Sequence, residues 1–128
     1  MSVLYPKAKE NLLKGNIDMV NDTIKVALID TGTYTYSAAH EFYSSVSGVV
    51  GTPEILTSKT VLNGVFDAAN PTYSAVTSSS IEALIIYVDS GTASTSELIA
   101  YIDSGTGLPV TPTGGVIIIT WDTNIFAL

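Results

Sequence analysis

Ile81-Glu82-Ala83-Leu84-Ile85-Ile86-Tyr87-Val88-Asp89, a turn through Gly91, and then Glu97-Leu98-Ile99-Ala100-Tyr101-Ile102-Asp103 decide the fold. The first run is the most apolar in the chain and rich in β-branched residues, which suits a central strand. The second follows after a short turn, so the two are expected to pair as a long antiparallel hairpin. Working outward, Thr23 to Asp30 reads as another strand with an apolar second half. Ile55 to Leu62 reads as a strand that turns at Asn63-Gly64, the dipeptide preferred in two-residue hairpins, and returns through Val65 to Ala68. Thr72 to Val76 and Val116 to Trp121 are further short strands, and Ile125 to Leu128 ends the sequence on apolar residues.

The remaining pieces are connectors and two short helical segments. Tyr5 to Lys14 reads as a helix, with Pro6 in the first turn, Leu12 and Leu13 as an apolar side, and Gly15 as the stop. Ala38 to Ser45 has room for about two helical turns with Phe42 or Tyr43 turned inward. Thr31 to Ser37 is a loop, and Gly105 to Gly115, with four Gly and two Pro, is an ordered loop or an arm. Short strands joined by Gly, Pro and Asn turns, without βαβ alternation, predict a mainly β domain: an antiparallel sandwich or barrel. Residues 1–22 are read as the N-terminal helix and connector, and 23–128 as a single β domain.

Composition narrows the function. The 128 residues carry five Lys, twelve acids and no Arg, for a net charge of −7. Without Arg, the residue best suited to bidentate phosphate and guanine contacts, nucleic-acid binding is not expected. Charged residues make up only 13%, and 14 Ser and 16 Thr take their place. Such a surface is polar yet cheap to desolvate, so it suits packing against neighbouring subunits. Lys7, Lys9, Lys14 and Lys25 all lie in the first 25 residues, leaving only Lys59 afterwards. The N-terminal segment is therefore where an acidic partner would dock, with Lys7, Lys9, Leu12, Leu13 and Lys14 as the candidate docking residues. The absence of Cys removes disulfides, thiolate metal sites and thiol nucleophiles. The longest apolar runs, such as Val116 to Ile119, are too short to span a bilayer, and Met1 to Lys7 lacks the order of a secretory signal. A soluble chain is expected.

One phrase resembles catalytic chemistry. Apolar residues followed by Asp-Thr/Ser-Gly-Thr occur at Asp30-Thr31-Gly32-Thr33, Asp89-Ser90-Gly91-Thr92 and Asp103-Ser104-Gly105-Thr106. Aspartic proteases carry such loops, in which two close carboxylates share a proton. Turn chemistry explains all three copies at once: a strand ends, Asp caps the turn and Gly completes it. Three copies also exceed a dyad, and the Asp89 and Asp103 copies fall at opposite ends of paired strands, separated by about 3.4 Å per residue. Asp30, Gly32, Asp89, Gly91, Asp103 and Gly105 are accordingly assigned to turns, and the chain is not expected to be an enzyme.

Other candidates are weaker still. His40 is the single His, so neither a His-based metal site nor a catalytic triad with a choice of His can be assembled. The glycines at 105, 107, 114 and 115 lack the Gly-Lys-Ser/Thr of a phosphate loop. No spaced Asp-x-Asp calcium loop occurs. Tyr34, Tyr36 and Trp121 would be the stacking faces of a carbohydrate- or host-binding module, with Tyr87 and Tyr101 beside Trp121 as further aromatics. No cofactor or metal is expected.

The order of segments resembles small structural proteins of tailed bacteriophages. The resemblance rests on Lys9 to Gly15, Asn21 to Asp30, His40-Glu41-Phe42, Leu62 to Ala68, Ala83 to Tyr87, Leu98 to Asp103, Gly105 to Pro112, Trp121-Asp122 and Ile125-Phe126. It implies a virion component, with head decoration (cement) foremost and a tail or neck part behind it. It further implies the major capsid protein or another virion protein as partner, and a homo-oligomer, dimer or trimer, matching capsid symmetry.

Overall fold

The computed structural model describes residues 2–105 and 107–128. It is mainly β, with antiparallel sheets, one α-helix and two 3-10 turns. The strands are β1 (Ser2–Leu4), β2 (Ile24–Ile29), β3 (Val49–Ile55), β4 (Thr60–Leu62), β5 (Val65–Asp67), β6 (Thr72–Tyr73), β7 (Ala83–Val88), β8 (Leu98–Ile102), β9 (Ile117–Ile118) and β10 (Phe126–Ala127). Five of them form one sheet in the order β1-β8-β7-β2-β3. The others form a three-stranded sheet, β10-β5-β4, and a two-stranded one, β6-β9. Among the described residues no sheet closes into a barrel.

The β7–β8 hairpin pairs as expected, and β7 is the middle strand of the five. Its residues alternate between two separate cores. Leu84 and Ile86 join Ile24, Val26, Leu28, Ala100 and Ile102 on one face, against Phe66, Tyr73, Ile117, Ile119, Trp121 and Ile125 from the small sheets and their flanks. Ala83, Ile85 and Tyr87 face the other way, with Ala27, Ile29, Leu98, Tyr101, Tyr5, Ala8 and Tyr34. A sheet covered on both sides must be apolar at successive positions, not alternate ones. That is why Ile24–Ile29 and Ala83–Val88 read as near-continuous apolar runs.

The register breaks at two places. Between β7 and β8, Ile86 faces Ala100 but Tyr87 faces Leu98, so Ile99 is the extra residue of a bulge. Ile99 and Ala100 consequently both enter the first core. Between β2 and β3, the register shifts between Val26 and Leu28. The buried Tyr73 hydroxyl donates to the Val26 carbonyl at 2.7 Å, tying β6 to the larger sheet.

The α-helix, α1, runs from Pro6 to Leu13, with Pro at its first turn and Gly15 at φ +76° just beyond its C-cap Lys14. It is not a separate appendage. β1 precedes it and pairs with β8, while Tyr5, Ala8, Ile17 and Met19 are all buried. Residues 1–22 thus supply an edge strand as well as the expected helix and connector. The apolar side of α1 also differs from expectation. Ala8 is its buried residue, Leu12 packs against the first core only partly, and Leu13 is 88% exposed.

Other boundaries shift for local reasons. The strand expected at Ile55 to Leu62 is divided: Ile55 ends β3, residues 56–59 break the pairing with Ser58 at φ +52°, and Thr60 starts β4. Asn63 and Gly64, both at positive φ, then form the hairpin turn that the dipeptide announces. The expected helical turns at Ala38 to Ser45 reduce to a 3-10 turn at Tyr43–Ser45. Phe42 bridges to Glu97, and Tyr43 stacks on Tyr87 with ring centroids 4.0 Å apart. Cross-sheet contacts therefore hold this segment extended. Strands at Thr72 to Val76 and Val116 to Trp121 are each only two residues long, because their pairing is confined to Thr72–Ile118 and Tyr73–Ile117. Of the stretch expected as a loop or arm at 105–115, residues 107–115 form a loop tied in by reciprocal backbone hydrogen bonds between Val110 and Ile81.

Candidate functional site

The three Asp-Thr/Ser-Gly phrases sit at strand ends. Asp30 Oδ1 accepts from the Gly32 N–H at 2.9 Å, and Asp89 Oδ1 from the Gly91 N–H at 3.0 Å. Both are Asx turns, in which the carboxylate replaces a backbone acceptor. Asp103 follows β8 in the same way; Thr106, the last residue of its phrase, lies outside the described residues.

The strand directions separate the carboxylates. β7 is antiparallel to both neighbours, so Asp89 lies at one end of the sheet and Asp30 and Asp103 at the other. Asp30 and Asp103 are two strands apart with β7 between them, about 10 Å at the usual spacing. The three aspartates of these phrases are therefore not brought together as a carboxylate pair within one chain. Asp89 is also engaged elsewhere: Lys25 Nζ lies 2.9 Å from its Oδ2, with both side chains about one-quarter exposed. That hydrogen bond, then the one from the Gly91 N–H, holds the Asp89 carboxyl below the usual carboxylate range.

A pH prediction follows from the Lys25–Asp89 pair. Asp89 binds its proton less tightly folded than unfolded. Its stabilisation is therefore present above the unfolded value near ~3.9 and disappears as pH falls through the lower folded value. Asp89→Asn is expected to cost about 1 kcal/mol at pH 7, and urea titrations should show that cost shrinking as pH falls below ~3.9. A cost independent of pH would assign the effect to the turn geometry alone.

The second core contains a tyrosine network that the sequence pattern did not reveal. The hydroxyls of Tyr5 and Tyr34 are 2.9 Å apart and buried, and the Tyr34 hydroxyl lies 2.8 Å from Nδ1 of His40. Tyr36 packs its ring against Tyr5 and Tyr101 at 5.1 and 5.2 Å. Burial, then the hydrogen bond to Tyr34, pushes the Tyr5 hydroxyl far above its ordinary range. The Tyr5 and Tyr34 hydroxyls are thus engaged with each other inside the core, and His40 ties its loop down through Tyr34. The network spans positions 5, 34, 36, 40 and 101, with no periodicity that would announce it.

Two sugar-stacking candidates are unavailable for that purpose. Tyr34 is buried, and Trp121 is 7% exposed with its indole Nε1 donating to the Ala69 carbonyl at 3.2 Å. Tyr36 is partly exposed but is the lid of the tyrosine network. Among the described residues, no group of three or more His, Asp or Glu side chains is placed to hold a metal ion. No helix among them is long and apolar enough to cross a membrane.

Glu97 is the one buried unpartnered side-chain atom to note. Its Oε2 has no hydrogen-bond partner among the described residues. Burial, then the negative charges of Glu41 and Asp22, raises its carboxyl above the ordinary value. This is the 3-10 turn side of the hairpin, where the Ser90, Thr95 and Ser96 hydroxyls and the Thr92 carbonyl close the connection between β7 and β8.

The candidate docking residues of α1 divide into two groups. Lys7 and Lys14 both bind Glu10, at 3.2 and 2.9 Å, and are half-exposed pairs of little energetic weight. Lys9 makes no ion pair among the described residues. Leu13 stands out in solvent, and Leu12 lines a groove of about 410 Å³ with Ile17, Met19, Val20, Val61 and Phe66. A second groove, about 620 Å³, lies between β1 and β10 and includes Lys9. Phe126 and Leu128 border both grooves, and Leu128 is 73% exposed. The chemistry gathered here is apolar contact with sparse charge, as at a packing surface.

No protein-family model and no curated protein matches this chain.

Proposed function

We propose that this chain is a structural protein of a tailed-bacteriophage virion, acting as a homo-oligomeric capsid decoration protein that binds the outer head surface and stabilises it. The observation that carries this reading is the pairing of a doubly covered β-sheet with apolar grooves and exposed aliphatics. Val61, Leu62, Val116, Ile118 and Leu128 stand out from a body with few charges. A sheet packed on both faces resists deformation, and a hydroxyl-rich, weakly charged surface can be buried against capsid subunits at low desolvation cost. The resemblance in segment order to phage structural proteins supports the same reading. The exposed Lys7, Leu13 and Lys14 of the α1 segment supply a mixed basic and apolar contact for an acidic capsid surface.

The test is location and rebinding. Particles stripped of this protein should lose tolerance to heat and dilution, and purified protein should rebind heads and restore it. Copurification with detached tails, or rebinding without any gain in tolerance, would overturn the decoration role. The first outcome would favour a tail or neck component.

A further inference from the structure

We propose that two copies of this chain associate through the groove between β1 and β10, each seating its own β10 in the groove of the other. This names the self-association surface of the oligomer in the reading above and rests on it for biological purpose, not for its physical basis.

Three features meet at this groove. First, both bordering strands are sheet edges: β1 ends the five-stranded sheet and β10 ends the three-stranded one. An edge strand presents unpaired backbone groups, which another strand satisfies by pairing alongside. Second, the lining is apolar, with Val3 and Leu4 from β1, Ile102 from β8, and Ile125, Phe126 and Leu128 around β10. The volume of about 620 Å³ leaves room for side chains that this copy does not supply. Third, among the described residues Lys9 is the one charged side chain lining it, and it has no carboxylate partner there.

The occupant follows from charge and symmetry. No lysine occurs after Lys59, so the segment carrying β10 brings only acids, with Asp122 upstream of it and Asp67 on the adjoining β5. A chain of net charge −7 repels its own copies over most approaches. At this groove an unpaired lysine meets an acid-flanked apolar strand instead. Antiparallel pairing of β10 with its symmetry mate is self-complementary, so a two-fold axis closes the contact. The two three-stranded sheets then become one continuous sheet across the dimer.

The test uses the full chain and two exposed positions, Lys9→Glu and Leu128→Asp. Sedimentation should show wild-type dimers, and each substitution should weaken association by about tenfold or more with an unchanged thermal unfolding curve. Amide exchange in β1 and β10 should slow on dimerisation. A wild-type monomer up to about 0.5 mM, or an oligomer that neither substitution weakens, would overturn the proposal. The particle experiment fails separately: a dimer built this way but absent from virions would remove the function and leave the surface standing.

Discussion

Gly48→Ala is expected to destabilise the protein by about 3 kcal/mol, more than any other glycine-to-alanine change outside the 105 loop. Gly48 has φ +68°, a region costing an L-residue about 1–2 kcal/mol. A Cβ there would also lie 2.7 Å from the Asp30 carbonyl oxygen and 3.0 Å from Thr33 Cβ. The first of these is backbone and cannot rotate away. The Asp30 carbonyl accepts from the N–H groups of Thr33 and Tyr34, and the Asp30 N–H donates to Gly48 itself. Pushing that carbonyl outward therefore loosens the turn that delivers Tyr34 to Tyr5 and His40. Gly15→Ala is the control. Its φ is similar at +76°, but nothing lies within 4 Å of the added methyl, so only the conformational cost of about 1–2 kcal/mol applies. Urea midpoints of the two variants measure the difference. Equal losses would show that the close approach to Asp30 contributes nothing.

What the sequence disclosed depended on whether the determining contacts were local. The β7–β8 hairpin was legible because its apolar runs are long and a short turn joins them. Asn63-Gly64 and Gly15 were legible because their backbone conformations follow from residue type. β1 was not, since three residues carry no period, and its pairing with β8 is made with a partner nearly 100 positions away. The start of β3 at Val49 was hidden by Gly51 and Pro53, which argue against a strand yet sit on the sheet's outer edge beside a register shift. The second core was the largest omission. Nothing in the two short helical segments announced a cover for a broad sheet. The covering is instead done by α1 together with an extended loop whose Tyr34, Tyr36, Tyr43 and Val46 lie over Tyr87, Tyr101 and Ile85. In the candidate site, the lysines of α1 were readable from composition. Their pairing with Glu10, the solvent position of Leu13, and the grooves beside β10 depended on tertiary placement.

Phe66→Ala should produce the other large loss, about 3–4 kcal/mol, and it should fall unevenly across the molecule. Phe66 is 2% exposed on the middle strand of the three-stranded sheet, with its ring 5.3 Å from that of Phe126. It holds β10 twice, through that ring contact and through its carbonyl, which accepts from the Ile125 N–H at 3.0 Å. The 410 Å³ groove already adjoins it, so truncation opens the small sheet to water rather than leaving a sealed void. The larger sheet keeps a second core that Phe66 does not touch. Hydrogen exchange should therefore accelerate in β5 and β10 while β7 and β8 stay protected close to the global limit. Phe66→Leu retains most of the volume and should cost less than about 1.5 kcal/mol, with little change in exchange. If Phe66→Ala raised exchange uniformly through all five strands of the main sheet, the two cores would be one cooperative unit. The small sheet could not then yield independently, and the view of β10 as a locally held edge, free to pair with another chain, would lose its energetic basis.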